Sequence, residues 1–84
     1  MDIEFESAKD AANIAKHGVS LARAVDLYVR FAEIDDRFDY GETRWRAFGL
    51  IDGKPYSLGF TMTARGVRAI SLRRAHLAEY LRYV

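Results

Sequence analysis

Residues 43–62 read TRWRAFGLIDGKPYSLGFTM, and this stretch decides the fold. Asp52-Gly53 stands between two extended runs and suits a type I′ turn, in which both central residues need positive φ. It is the strongest hairpin signal in the chain. Thr43 to Ile51, rich in aromatic and β-branched residues, reads as the first strand. Pro55 to Met62 reads as the return strand, with Tyr56, Leu58, Phe60 and Met62 alternating onto one face. Trp45, set between Arg44 and Arg46, reads as a core anchor rather than a base-stacking residue.

The same pattern extends outward. Ala64-Arg65-Gly66 turns the chain, Val67 to Leu72 forms another strand, and Ala75 to Tyr83 a closing helix that buries Leu77, Tyr80, Leu81 and Val84. Before the hairpin, Asp2 to Phe5 reads as a short strand. Ala8 to His17 then reads as a helix with Ala8, Ala11, Ala12 and Ala15 at helical spacing. Ser7 or Glu6 caps its start, and Gly18 suits a left-handed stop. Ser20 caps a second helix, Leu21 to Val29, whose stripe is Leu21, Ala24, Val25 and Tyr28. Phe31 to Ile34 is a short strand and residues 35–42 a polar, acidic loop. The order is strand, two helices, three or four antiparallel strands, helix. That is an α+β layout with the helices packed on one sheet face.

With 84 residues, the chain has room for one domain, residues 1–84. Half of it is hydrophobic and 30% charged, a globular composition. Without cysteine it can form neither a disulfide framework nor a thiolate metal site. The start, Met1-Asp2-Ile3-Glu4, is acidic and unlike a signal peptide, and no run reaches the ~20 apolar residues of a membrane span. A cytoplasmic location is expected. The net charge of +1 hides a split: residues 1–42 hold ten acids and five bases, residues 43–84 two acids and eight bases. Seven of those eight bases are arginine, whose planar fork matches phosphate oxygens. An anionic partner is suggested, unless these arginines pair with the acids of the first half.

Three segments, in order, resemble the BrnT toxin family. The first is Ala8-Lys9, Ala12-Asn13 and Lys16-His17-Gly18-Val19-Ser20. The second is Tyr40-Gly41-Glu42 followed by Arg44. The third is Arg68, then Ile70-Ser71, then Arg73-Arg74-Ala75. The chain departs from the family at Phe5-Glu6-Ser7, where Trp-Asp-Pro is common, and at Leu21-Ala22-Arg23, where acids often open the helix. The resemblance implies a RelE-like fold, endoribonuclease activity and a bacterial type II toxin–antitoxin pair. It also implies a cognate antitoxin with a DNA-binding dimerisation domain, so that operator DNA is met only through the antitoxin.

Cleavage of RNA without a metal or other cofactor needs a base for the 2′-hydroxyl, cations for the charge on the phosphate, and an acid for the departing 5′-oxygen. The expected catalytic residues are Lys16, His17, Arg68, Arg73 and Arg74. The expected substrate-binding residues are Arg44, Arg46, Arg65 and Tyr83, the last as an acid or a base-stacking platform. In a regular strand Arg68 and Arg73 face opposite ways, so they share a site only if the strand ends or bends between them. Arg73 and Arg74 are therefore expected just past the strand end. The acids Asp35, Asp36, Asp39 and Glu42 suit a hard metal by type, but their spacing matches no loop motif. They read instead as a solvated loop paired with Arg37 and Arg44. A second reading of the chain is an inert toxin-like module that binds an antitoxin and co-represses its operon. A third is a domain that binds nucleic acid directly.

Overall fold

The computed structural model describes residues 2–84, so Met1 of the acidic start lies outside the described residues. The elements run β1 (Asp2–Glu4), α1 (Ser7–His17), a 3₁₀ helix (Leu21–Asp26), β2 (Tyr28–Ile34), β3 (Trp45–Ile51), β4 (Lys54–Met62), β5 (Gly66–Arg74) and α2 (Leu77–Tyr83). They form an α+β fold around one five-stranded sheet of order β1-β5-β4-β3-β2. Strands β2 to β5 are antiparallel neighbours, and β1 adds to β5 in parallel. The sheet is thus wider than the three or four strands expected. No helix of the described residues is long and apolar enough to cross a membrane.

The hairpin reads as expected. Asp52 and Gly53 have φ of 51° and 75°, which is the type I′ signature. Gly18, at φ 73°, ends α1, and its N–H donates to the Ile14 carbonyl at 2.8 Å. Ser20 caps the 3₁₀ helix, its hydroxyl oxygen accepting from the Ala22 N–H at 3.1 Å.

Four expectations are corrected. First, the second helix is a 3₁₀ turn that stops at Asp26, and the strand after it starts at Tyr28 rather than Phe31. Tyr28 and Val29 pair with Leu50 and Gly49, and a bulge follows at Arg30. The β-branched and aromatic residues there satisfy a strand better than a helix. Gly49 admits this pairing, since a Cβ on it would stand 2.2 Å from the Tyr28 carbonyl oxygen.

Second, the helices do not share a sheet face. Along β3, Trp45, Ala47 and Ile51 belong to a core with Leu21, Ala24, Leu58, Phe60, Val67, Ala69 and Leu72, under the 3₁₀ helix. The alternate residues Phe48 and Leu50 pack with Ala75, Tyr80 and Tyr83 of the C-terminal segment. Helix α2 therefore lies on the opposite face, because the period-two alternation leaves both faces partly apolar.

Third, the buried side of α2 is Tyr80 with half-buried Tyr83. Leu77 and Leu81 are 63% and 60% exposed. Val84 is exposed too, at 39%; the helix begins at Leu77, two residues later than expected, and the aromatic rings of Tyr80 and Tyr83 fill the place against Phe48.

Fourth, the alanines of α1 are exposed and its inward face is polar. Asn13 is buried, and Asp10 and His17 are partly so. Strand β1 covers β5 only as far as Arg68, which leaves the edge at Leu72 open. Asn13 closes it: its side-chain amide donates to the Leu72 carbonyl at 2.9 Å, and its side-chain oxygen accepts from the Leu72 N–H at 3.1 Å. The same amide donates to the Val19 carbonyl at 2.8 Å. A buried sheet edge needs such partners, and here an asparagine takes the place of a strand.

Candidate active site

The site forms where β5 bends. Gly59 pairs with Ser71 and Phe60 with Ala69, so Ile70 is an extra residue on β5. This bulge inverts the alternation beyond it. Arg68, opposite Thr61, and Arg73, opposite Ser57, consequently share the face away from the 3₁₀ helix. The strand runs on through Arg74, so Arg73 and Arg74 lie within it and not past its end. The expected strand end before Arg73 is absent, and a bulge at Ile70 brings Arg68 and Arg73 to one face instead.

Small residues make the floor beside the bulge. Arg46, Gly59 and Ser71 form one cross-strand row, and Phe48, Ser57 and Arg73 the next. A Cβ on Gly59 would come within 2.9 Å of the Ser71 hydroxyl oxygen, so glycine keeps this floor low. Above it lies a concavity of about 120 Å³, whose lining includes Arg37, Arg44, Arg46 and Arg73 together with Asp35, Tyr40, Ser57 and Ser71.

Each arginine is held by identified contacts. Arg73 donates two parallel hydrogen bonds to Glu79 of α2, at 2.9 and 2.8 Å. The Glu79 carboxylate raises the Arg73 guanidinium above its usual range, against burial and the positive charge of Arg37. Arg73, with smaller contributions from the charges of His76 and Arg82, correspondingly pulls the Glu79 carboxyl below its usual value, against burial. Arg46 donates to Glu33 at 2.8 Å and to the Tyr83 hydroxyl at 3.0 Å. Arg37 grips Asp35 with two bonds of 2.8 Å, and the Tyr40 hydroxyl donates to the same carboxylate at 3.1 Å. These contacts hold the largely buried Asp35 carboxyl well below the ordinary carboxylate range, Arg37 being the main cause. Arg44 lies over the Tyr40 ring, 4.2 Å from its centroid, and approaches Glu42 only to 3.6 Å. Its Nε is buried and makes no hydrogen bond.

His17 lies at the end of α1, one turn beyond Asn13 and half-buried. Burial, then the charges of Lys16 and Arg73, lower its imidazole pKa from the usual value. A neutral imidazole beside a guanidinium can accept a proton near neutral pH.

Of the residues singled out in the sequence, Arg44, Arg46 and Arg73 line the concavity. Neither His17 nor Lys16 lines it, although the Arg73 charge contributes to lowering the His17 pKa. Arg68 and Arg65 gather elsewhere, around Glu4 of β1 at 3.6 and 3.1 Å. Arg74 lies over the Tyr56 ring, with its carbonyl accepting from Arg73. The Tyr83 ring stacks on Phe48 with centroids 4.5 Å apart, so one of its faces is already covered. The acids of residues 35–42 do not converge. Asp35 is tied to Arg37, Asp39 accepts from the Gly41 N–H, and Glu42 leans toward Arg44.

Arg37, Tyr40, Ser57 and Ser71 are site-lining residues that sequence reasoning missed. The Tyr40-Gly41-Glu42 segment was a usable signal for Tyr40. The Ile70-Ser71 segment was likewise a signal for Ser71, whereas Arg37 looked like a mere partner for loop acids and Ser57 becomes visible only through strand register.

Among curated proteins none matches the chain. Over residues 5–79 its sequence matches the family described as "Ribonuclease toxin, BrnT, of type II toxin-antitoxin system", and the chain belongs to that family.

Proposed function

We propose that this chain is a metal-independent endoribonuclease toxin with a RelE-like fold, acting as one domain in the bacterial cytoplasm. The observation that carries this reading is the convergence of Arg37, Arg44, Arg46 and Arg73 on one small concavity. Arginine forks there suit the equatorial oxygens of a phosphate in transition. His17 takes the proton of the ribose 2′-hydroxyl, whose oxygen attacks the adjacent phosphorus and breaks the bond to the 5′-oxygen, which takes a proton from water and leaves as a 5′-hydroxyl. The product is a 2′,3′-cyclic phosphate. Lys16 adds positive charge beside His17. Arg65, Arg68 and Arg74 serve as outer contacts to the RNA strand. Tyr83 holds Arg46 in place through its hydroxyl. The antitoxin that neutralises the chain carries the DNA-binding dimerisation domain, and operator DNA is met only through it.

One observation favours a second reading. Arg37, Arg46 and Arg73 each already bind a carboxylate, and Glu42 stands near Arg44. A module with its cations so neutralised would bind an antitoxin without cutting RNA. Partly exposed ion pairs are worth little, however, and a phosphate can exchange for a carboxylate on the same fork. Expression without the antitoxin separates the two readings. Growth arrest that Arg73→Ala relieves is the result expected of the nuclease. Unimpeded growth with folded protein in the cells is that of the inert module.

A further inference from the structure

On the opposite sheet face an apolar groove of about 670 Å³ opens between the 3₁₀ helix and the sheet. Its lining includes Val25, Val29, Trp45, Ala47, Phe60 and Met62, and no charged residue contributes to it. Val25, Val29 and Met62 are 67%, 51% and 57% exposed, so much of this apolar surface faces water. Contiguous apolar surface of this kind marks a place where another molecule sits.

Two features say which molecule. Trp45 is among the residues lining both this groove and the arginine concavity, so the two sites adjoin at one residue. An occupant of the groove reaches the edge of the catalytic site. A permanent second copy seated there would crowd that site at all times, which a toxin that must act when free does not tolerate. A partner that silences the toxin fits. A charge stands next in sequence to the groove-lining Val29: Arg30, the bulge residue on edge strand β2, is exposed and forms no ion pair among the described residues.

We infer that the groove is the docking site of the cognate antitoxin, which fills it with large aliphatic or aromatic side chains and sets a carboxylate near Arg30. The inference rests on membership of a toxin–antitoxin family, and its link to silencing rests on the ribonuclease reading.

The full chain and the protein encoded by the adjacent reading frame provide the test. Trp45 is the sole tryptophan, so its emission reports on the groove in the free chain. Addition of the partner should shift that emission to the blue if the partner itself lacks tryptophan or is substituted to lack it. Val25→Asp and Met62→Asp, at exposed side chains, should each weaken binding roughly 30-fold or more, the scale of an interface hot spot. Circular dichroism and thermal midpoint should stay near wild type, and if one variant fails to fold the other carries the test. Leu77→Asp, on the other sheet face, should bind within about twofold of wild type. Wild-type affinity in both groove variants overturns the inference. So does a wild-type chain that sediments alone as a dimer which Val25→Asp dissociates, since the groove then belongs to a second copy. Weakened groove variants together with no RNA cleavage by the free wild-type chain support the docking and remove the ribonuclease reading instead.

Discussion

Asn13 replaces a missing strand for Leu72. Its side chain meets both the N–H and the carbonyl of that residue, 59 positions away in sequence. This contact fixes α1 along the edge of β5, and so sets where His17 stands relative to Arg73. Asn13→Leu leaves two buried backbone groups unpaired, at a cost of about 2–3 kcal/mol. For a chain of this size the expected loss is about 8–20 °C in thermal midpoint. Activity in the folded fraction should fall as well, because His17 loses its placement. Thermal unfolding and a rate measurement at low temperature check the two parts.

Arg73 is expected to matter most for the chemistry. Arg73→Ala should lower kcat by roughly 10²–10³, the usual effect of removing one donor from a developing oxyanion. Arg73→Lys should recover little, since an ammonium lacks the two-pronged fork. Arg68→Ala, which removes a residue tied to Glu4 outside the concavity, should change kcat no more than a few-fold. Single-turnover cleavage of a short RNA gives all three rates.

The pH profile tests His17. Its pKa in the folded chain lies below the usual 6.5, because burial, Lys16 and Arg73 all disfavour the imidazolium. The neutral form, which the proposed mechanism requires, is therefore favoured at pH 7. The acid limb of kcat/KM should have its midpoint below 6.5, and His17→Ala should abolish that limb while slowing the reaction roughly 10²–10⁴-fold. The lowered value also means that the fold favours neutral His17, so stability from this group is lost as pH falls through that region.

Asp35 anchors the loop that brings Arg37 and Arg44 to the concavity. Its carboxyl is held low mainly by the Arg37 guanidinium, so its stabilisation is complete above the unfolded value of 3.8 and is lost as pH falls below it. Asp35→Asn should cost about 1–3 kcal/mol at pH 7 and flatten that acid dependence. Chemical denaturation of both proteins at pH 7 and at pH 3 measures the difference.

The hairpin at Asp52-Gly53, the stop at Gly18 and the cap at Ser20 were legible because each depends on local backbone chemistry. The alanine stripe of α1 misled for a physical reason: alanine is a good helix former that gains little from burial, whereas Asn13 was needed for a sheet edge invisible in the sequence. Likewise, no local signal announces the bulge at Ile70, which lets Arg68 and Arg73 share a face. Of the arginines in the second half, Arg44, Arg46 and Arg73 line the concavity. Arg65, Arg68 and Arg74 diverge from them, since a count of charges carries no information on register. Arg37 escaped notice because its carboxylate partner lies two residues away and made it look purely local.

The most direct measurement is the end-group chemistry of RNA incubated with the purified chain in EDTA, alongside the same strand carrying 2′-deoxyribose throughout. The arginine concavity with His17 should cut the ribose strand, leave 2′,3′-cyclic phosphate ends, spare the deoxyribose strand and lose this activity in Arg73→Ala. Intact RNA in the presence of folded, antitoxin-binding protein would contradict it, as would cleavage that EDTA abolishes or that the missing 2′-hydroxyl leaves unchanged.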